Sequence, residues 1–80
     1  MPFKSSYACL DLEQNAVYLL SIQNNFFDVL KINGLDSAPV GVYEDVMSNT
    51  VHVITEKDLN VYSYNKRSKR LIRKSNYAFA

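Results

Sequence analysis

The residues best suited to chemistry lie near the carboxyl end, in the run Lys66-Arg67-Ser68-Lys69-Arg70-Leu71-Ile72-Arg73-Lys74, which is bordered by Tyr62, Tyr64, Tyr77 and Phe79. Cations neutralise phosphate and aromatic rings offer stacking platforms, so Lys66, Arg67, Lys69, Arg70, Arg73 and Lys74 with Tyr62 and Tyr64 form a candidate site for RNA or single-stranded DNA. The same cations could dock on the carboxylates of an acidic partner protein or of a second copy of the chain. Ser68 and Ser75 lie in these basic surroundings, where phosphorylation would cancel positive charge. The structural alternative is that lysine and arginine protect an exposed turn and edge strand, with Leu71 and Ile72 fixing the last strand.

Other reactive types are sparse. His52 is the single histidine and Cys9 the single cysteine, and with scattered carboxylates they match no zinc-ligand spacing, so no metal and no cofactor are expected. Glu44 and Asp45 are adjacent, and on a strand neighbours point to opposite faces. Asp11 and Glu13 could share a face, but acids at strand ends more often solvate turns. The only glycines are Gly34 and Gly41, too few for a phosphate-cradling loop. No catalytic constellation emerges, and the chain is expected not to be an enzyme.

These residues need a scaffold, and 80 residues with 48% hydrophobic and 21% charged suit one small domain, 1–80, and not a disordered chain. The net charge of +1 conceals a separation. Residues 1–58 hold all eight acidic residues and three basic ones, whereas 59–80 hold six basic residues and no acid. One cysteine excludes an internal disulfide and reads as a buried thiol in a reducing compartment. The first apolar stretch contains Asp11 and Glu13, so neither a signal sequence nor a membrane segment is expected, and an intracellular, cytoplasmic setting is the reading.

Runs rich in Val, Ile, Leu, Tyr and Phe alternate with turn-forming residues, which predicts a mostly β meander. The predicted strands are 7–12, 17–22, 26–32, 40–46, 50–55, 59–64 and 71–74. Segment 26–32 is ambiguous, because Asp28 would share a strand face with Phe26, Leu30 and Ile32. A short helix at 25–33 is the alternative, with Asn25 as its N-cap and Gly34 just past its end.

Self-comparison suggests two copies, 7–33 and 41–65. An offset of 34 residues superposes Asp11 on Asp45, Asn15 on Asn49 and Val17 on Val51, and an offset of 32 then places Val29 on Val61 and Asn33 on Asn65, as though the second turn of the first copy were two residues longer. Each copy reads as strand, Asn-containing turn, strand, polar turn, strand. The second copy, from Asp45 through Thr55 and from Leu59 to Asn65, resembles the inner three strands of a β-propeller blade, although it lacks the Gly-His and Trp-Asp signatures of WD repeats. That resemblance implies a scaffold whose faces bind partners, and a chain that oligomerises to complete its sheets. Since so short a chain must hide its own edges, the expected architecture is a small antiparallel barrel or sandwich of six or seven strands built from two three-stranded meanders. The expected function is protein–protein interaction, with an acidic partner or with itself, through a β edge and the basic C-terminal hairpin; the alternative is a small nucleic-acid-binding β domain.

Overall fold

The computed structural model describes residues 7–23, 26–65, 67–68 and 70–79, and these contain strands and turns but no helix. In chain order the strands are β1 (Tyr7–Asp11), β2 (Ala16–Gln23), β3 (Phe26–Ile32), β4 (Pro39–Asp45), β5 (Thr50–Thr55), β6 (Asp58–Asn65) and β7 (Arg70–Ala78). Two antiparallel meanders result, a three-stranded sheet β1-β2-β3 and a four-stranded sheet β4-β5-β6-β7.

Three hairpins turn by the same device. Asp11 Oδ1 accepts the amides of Glu13 and Gln14, both at 3.1 Å. Asp45 Oδ1 accepts those of Met47 and Ser48 at 3.1 and 3.4 Å, and Asn65 Oδ1 those of Arg67 and Ser68 at 2.9 and 3.2 Å. An Asx side chain thus holds amides that the bend would otherwise strip of partners. Asn15 and Asn49 close the first two turns with φ of 50° and 60°, a left-handed conformation that asparagine tolerates better than most residues with a Cβ.

Alternation along the central strands then builds the core. Val17 and Leu19 of β2 and Val51 and Val53 of β5 are buried, and with Ile32, Leu35 and Tyr62 they form one apolar cluster shared by both sheets. Leu19 is fully buried, which stabilises the fold by about 1.5–3 kcal/mol relative to an exposed leucine. β1 lies against β4 and β3 against β7, so the edges of the sheets approach each other. The connection 33–38 starts at Gly34, whose φ of 74° favours glycine, and buries Leu35 in the shared cluster.

The registers of the two meanders agree across their first hairpins and differ across their second. Asp11 pairs with Ala16 as Asp45 pairs with Thr50, so the offset of 34 holds across the first hairpin. Val17 pairs with Ile32 whereas Val51 pairs with Tyr62, so the third strands correspond at an offset of 30 and not 32. The extra length of the first copy lies in a longer β2–β3 hairpin and not in its turn, and it brings Asp28 into correspondence with Asp58. Val17 and Leu19 of the first meander and Val51 and Val53 of the second belong to one buried cluster.

Three further expectations are corrected or extended. Residues 26–32 form a strand and not the alternative helix at 25–33: Asp28 does share the inner face with Leu30 and Ile32, but it lies toward the hairpin end of β3, opposite Ser21, and stays exposed. Asn25, the N-cap of that alternative, lies outside the described residues. Cys9 is exposed rather than buried, because β1 is an edge strand and Cys9 stands opposite Tyr18 on the outer face. β7 extends to Ala78, and the Phe79 amide donates to the Lys57 carbonyl at 2.8 Å, so the tail continues the sheet.

Candidate interaction surface

The basic run is split by the pleat of β7. Arg70 and Ile72 stand opposite Asn65 and Ser63, whereas Arg73 stands opposite the inward-facing Tyr62 after a register shift. Arg67, Arg70, Arg73 and Lys74 are exposed, while Lys66 and Lys69 lie outside the described residues. Arg73 bends toward the inner face, its Nη1 3.4 Å from Asn60 Oδ1. Of the two tyrosines, Tyr62 is withdrawn from the surface that carries these cations, whereas Tyr64 is partly exposed. Tyr62 is only 8% exposed and belongs to the core, where burial raises its hydroxyl pKa. Tyr64 is half-buried and tied to the β4–β5 turn, its amide donating to Asn49 O at 3.1 Å and its carbonyl accepting from Asn49 Nδ2 at 3.0 Å.

Strand β6 turns Asp58 and Asn60 inward and Leu59 and Val61 outward. Asp58, Asn60 and Tyr62 are buried on the core side, leaving Leu59 and Val61 half-buried on the outside. Two cross-strand rows cover that outer face. One runs Tyr43, His52, Val61, Ser75 and the other Gly41, Ile54, Leu59, Tyr77. Neither row holds an acid, a lysine or an arginine. Tyr43 is 62% exposed, Ile54 38%, Tyr77 59% and the adjacent Ile72 55%, a concentration of apolar side chains on the face turned away from the core. The His52 ring tilts against Tyr43 at 5.8 Å between centroids, and its Nε2 lies 3.2 Å from Thr50 Oγ1.

Inward-facing polar groups are satisfied by one another. The Asp58 carboxylate accepts from the Thr55 hydroxyl, from Asn60 Nδ2 at 3.0 Å and from Asn76 Nδ2 at 2.8 Å. Asn76 Nδ2 also reaches Asn60 Oδ1 at 2.8 Å, and Ser37 Oγ donates to Thr55 Oγ1 at 2.8 Å. The Thr55 hydroxyl, followed by the Asn76 amide, holds the Asp58 carboxyl below its ordinary pKa despite its burial. This network joins the 33–38 connection, β5, β6 and β7, and its carboxylate is already engaged.

The remaining candidates resolve simply. Asp11 and Asp45 are turn acceptors. Among the described residues no three His, Cys, Asp or Glu side chains group to hold a metal ion, and no helix is long and apolar enough to cross a membrane. Sequence reasoning missed the outer face of the four-stranded sheet, because alternation along 59–64 does not say which side faces the core, and only the register places Asn60 beside Val53.

The chain matches no family model, no curated protein and no solved structure.

Proposed function

We propose that this chain is a non-enzymatic protein-interaction module that offers the outer face of β4–β7, bordered by the basic β6–β7 hairpin, to a partner carrying apolar groups and carboxylates. The observation that supports this reading most is the inversion of β6, which hides Asp58 and Asn60 and turns Leu59 and Val61 outward beside Ile54 and Tyr77. Covering apolar surface contributes about 25 cal/mol per Å², and the flanking Arg67, Arg70 and Lys74 steer carboxylates toward it. The one buried carboxylate of the network is consumed by three side-chain donors, which favours structural use over catalysis.

A specific observation favours a second reading. Tyr43 and Tyr77 are exposed on one face whose corner carries Arg70, an arrangement on which single-stranded nucleic acid can stack. One titration separates the two. The chain is titrated with a random Glu–Tyr copolymer and with a mixed-sequence single-stranded RNA at about 50 mM and about 200 mM salt. Saturable, salt-weakened binding of the copolymer that is lost in Arg67→Ala/Arg70→Ala and in Tyr77→Ala is the expected result. Binding of RNA alone establishes the second reading, and binding of neither probe overturns both.

A further inference from the structure

We propose that the partner covering the outer face of β4–β7 is a second copy of the same chain, docked about a two-fold axis parallel to the strands. The inference rests on reading that face as an interface, and it names the occupant.

Self-apposition makes two demands. A surface laid on its own copy must not oppose like charges, and whatever charge it has must fall on the opposite sign. The two central rows, from Tyr43 to Ser75 and from Gly41 to Tyr77, bring no acid, lysine or arginine into contact. Of the charges at the two long edges of the sheet, Asp45 and Arg70 lie at the same end, and Lys74 lies at the irregularity within β7. Asp45 closes β4, and Arg70 opens β7 one residue pair beyond the row Asp45, Thr50, Ser63, Ile72. A two-fold axis along the strands, passing between β5 and β6, exchanges the edges and keeps the ends. Asp45 of each copy then comes over the Arg70 end of the other. Face-to-face sheets pack with their strands within about 30° of each other, so an axis in this direction is compatible with sheet twist.

The outer face of the three-stranded sheet is a poorer counterpart. It carries Lys31, whose Nζ lies 5.4 Å from the centre of the Tyr18 ring, and the same kind of axis would set that cation over Cys9 of the second copy, with no acid in the row to meet it. Size sets the strength of the pairing. Four strands at about 4.8 Å spacing and about seven residues at 3.4 Å each cover about 450 Å² per copy, or about 900 Å² together. That is the low end of interface sizes, the range of weak, reversible association.

Sedimentation equilibrium of the full chain from about 5 μM to about 500 μM brackets that range. The expected mass rises from 9.2 kDa to twice that value and no further. Ile54→Lys and Tyr77→Lys, two separate variants at exposed positions whose folding is checked by circular dichroism, each weaken the dimer by more than about tenfold. Asp45→Asn keeps an Asx acceptor in the turn, as Asn65 does in its own, yet weakens association several-fold and flattens its salt dependence. Val29→Lys, on the outer face of the other sheet, leaves the dimer unchanged. A monomer at every concentration, growth beyond a dimer, or a dimer broken only by Val29→Lys overturns the proposal. A monomer that still binds the Glu–Tyr copolymer through Tyr77 removes the second copy alone, whereas loss of both removes the reading of the face as well.

Discussion

Asp58→Asn tests whether the buried network holds β5, β6 and β7 together. The carboxylate receives three side-chain hydrogen bonds, from Thr55, Asn60 and Asn76, and bonds to a charged acceptor contribute about 1.5–3 kcal/mol each against about 1 kcal/mol for neutral ones. An asparagine keeps one acceptor oxygen for Thr55 and Asn60, but turns an amide toward Asn76 Nδ2 where Oδ2 had been. Asn76 retains its bond to Asn60 Oδ1, which limits the damage. The net loss is about 2–4 kcal/mol at neutral pH, a large share of the roughly 4–12 kcal/mol typical of a domain of this length. At about 6 °C per kcal/mol for so small a domain, the melting temperature falls by about 10–25 °C. The acid dependence has a definite sign. The folded carboxyl titrates below its usual value of 3.8, so its stabilisation is complete above that value and is lost as pH falls through the lower folded value. Urea unfolding of both proteins by circular dichroism, at pH 7 and at steps down to about pH 2, therefore shows a gap that narrows on acidification. A loss below about 0.5 kcal/mol at pH 7, or a gap that persists undiminished in acid, would refute this account of the network.

Two further predictions concern single positions. Asn15→Ala places a Cβ-bearing residue without a local acceptor at a φ of 50° and costs about 1–2 kcal/mol, whereas Asn15→Gly stays within about 0.5 kcal/mol of the parent; equal melting temperatures for the two variants contradict the turn assignment. Cys9 is exposed, so a disulfide reagent titrates it in the native chain before any denaturant is added, and reactivity that appears only on unfolding counts against its position on the outer side of β1.

The turns were the most legible part of the chain. An Asp followed four residues later by Asn, repeated at a fixed offset, carries its own local chemistry, and Asp11, Asn15, Asp45 and Asn49 act as their types suggest. Strand positions were legible for the same local reason. Properties set by long-range register were not. Cys9 is apolar enough to be buried, but only its place on an edge strand exposes it. Tyr62 and Tyr64 looked like companions of the basic run, and the pairing of Tyr62 with Val51 took the first into the core. The correspondence of Asp28 with Asp58 was hidden because the β2–β3 hairpin is longer than its counterpart. Leu59 and Val61 alternate correctly for a strand, but the period does not say which face meets the other sheet.

The shared turn device separates the shape of a corner from the identity of its tip. One Asx oxygen and one left-handed asparagine set the backbone path in the first two hairpins, so Leu12-Glu13-Gln14 and Val46-Met47-Ser48 form corners of the same kind from dissimilar residues. Met47 is almost wholly in solvent. The middle position of each corner, Glu13 and Met47, is therefore open to replacement while strand pairing is conserved, so that the fold presents one interchangeable side chain at each of these two corners in a posture fixed by the residues on either side.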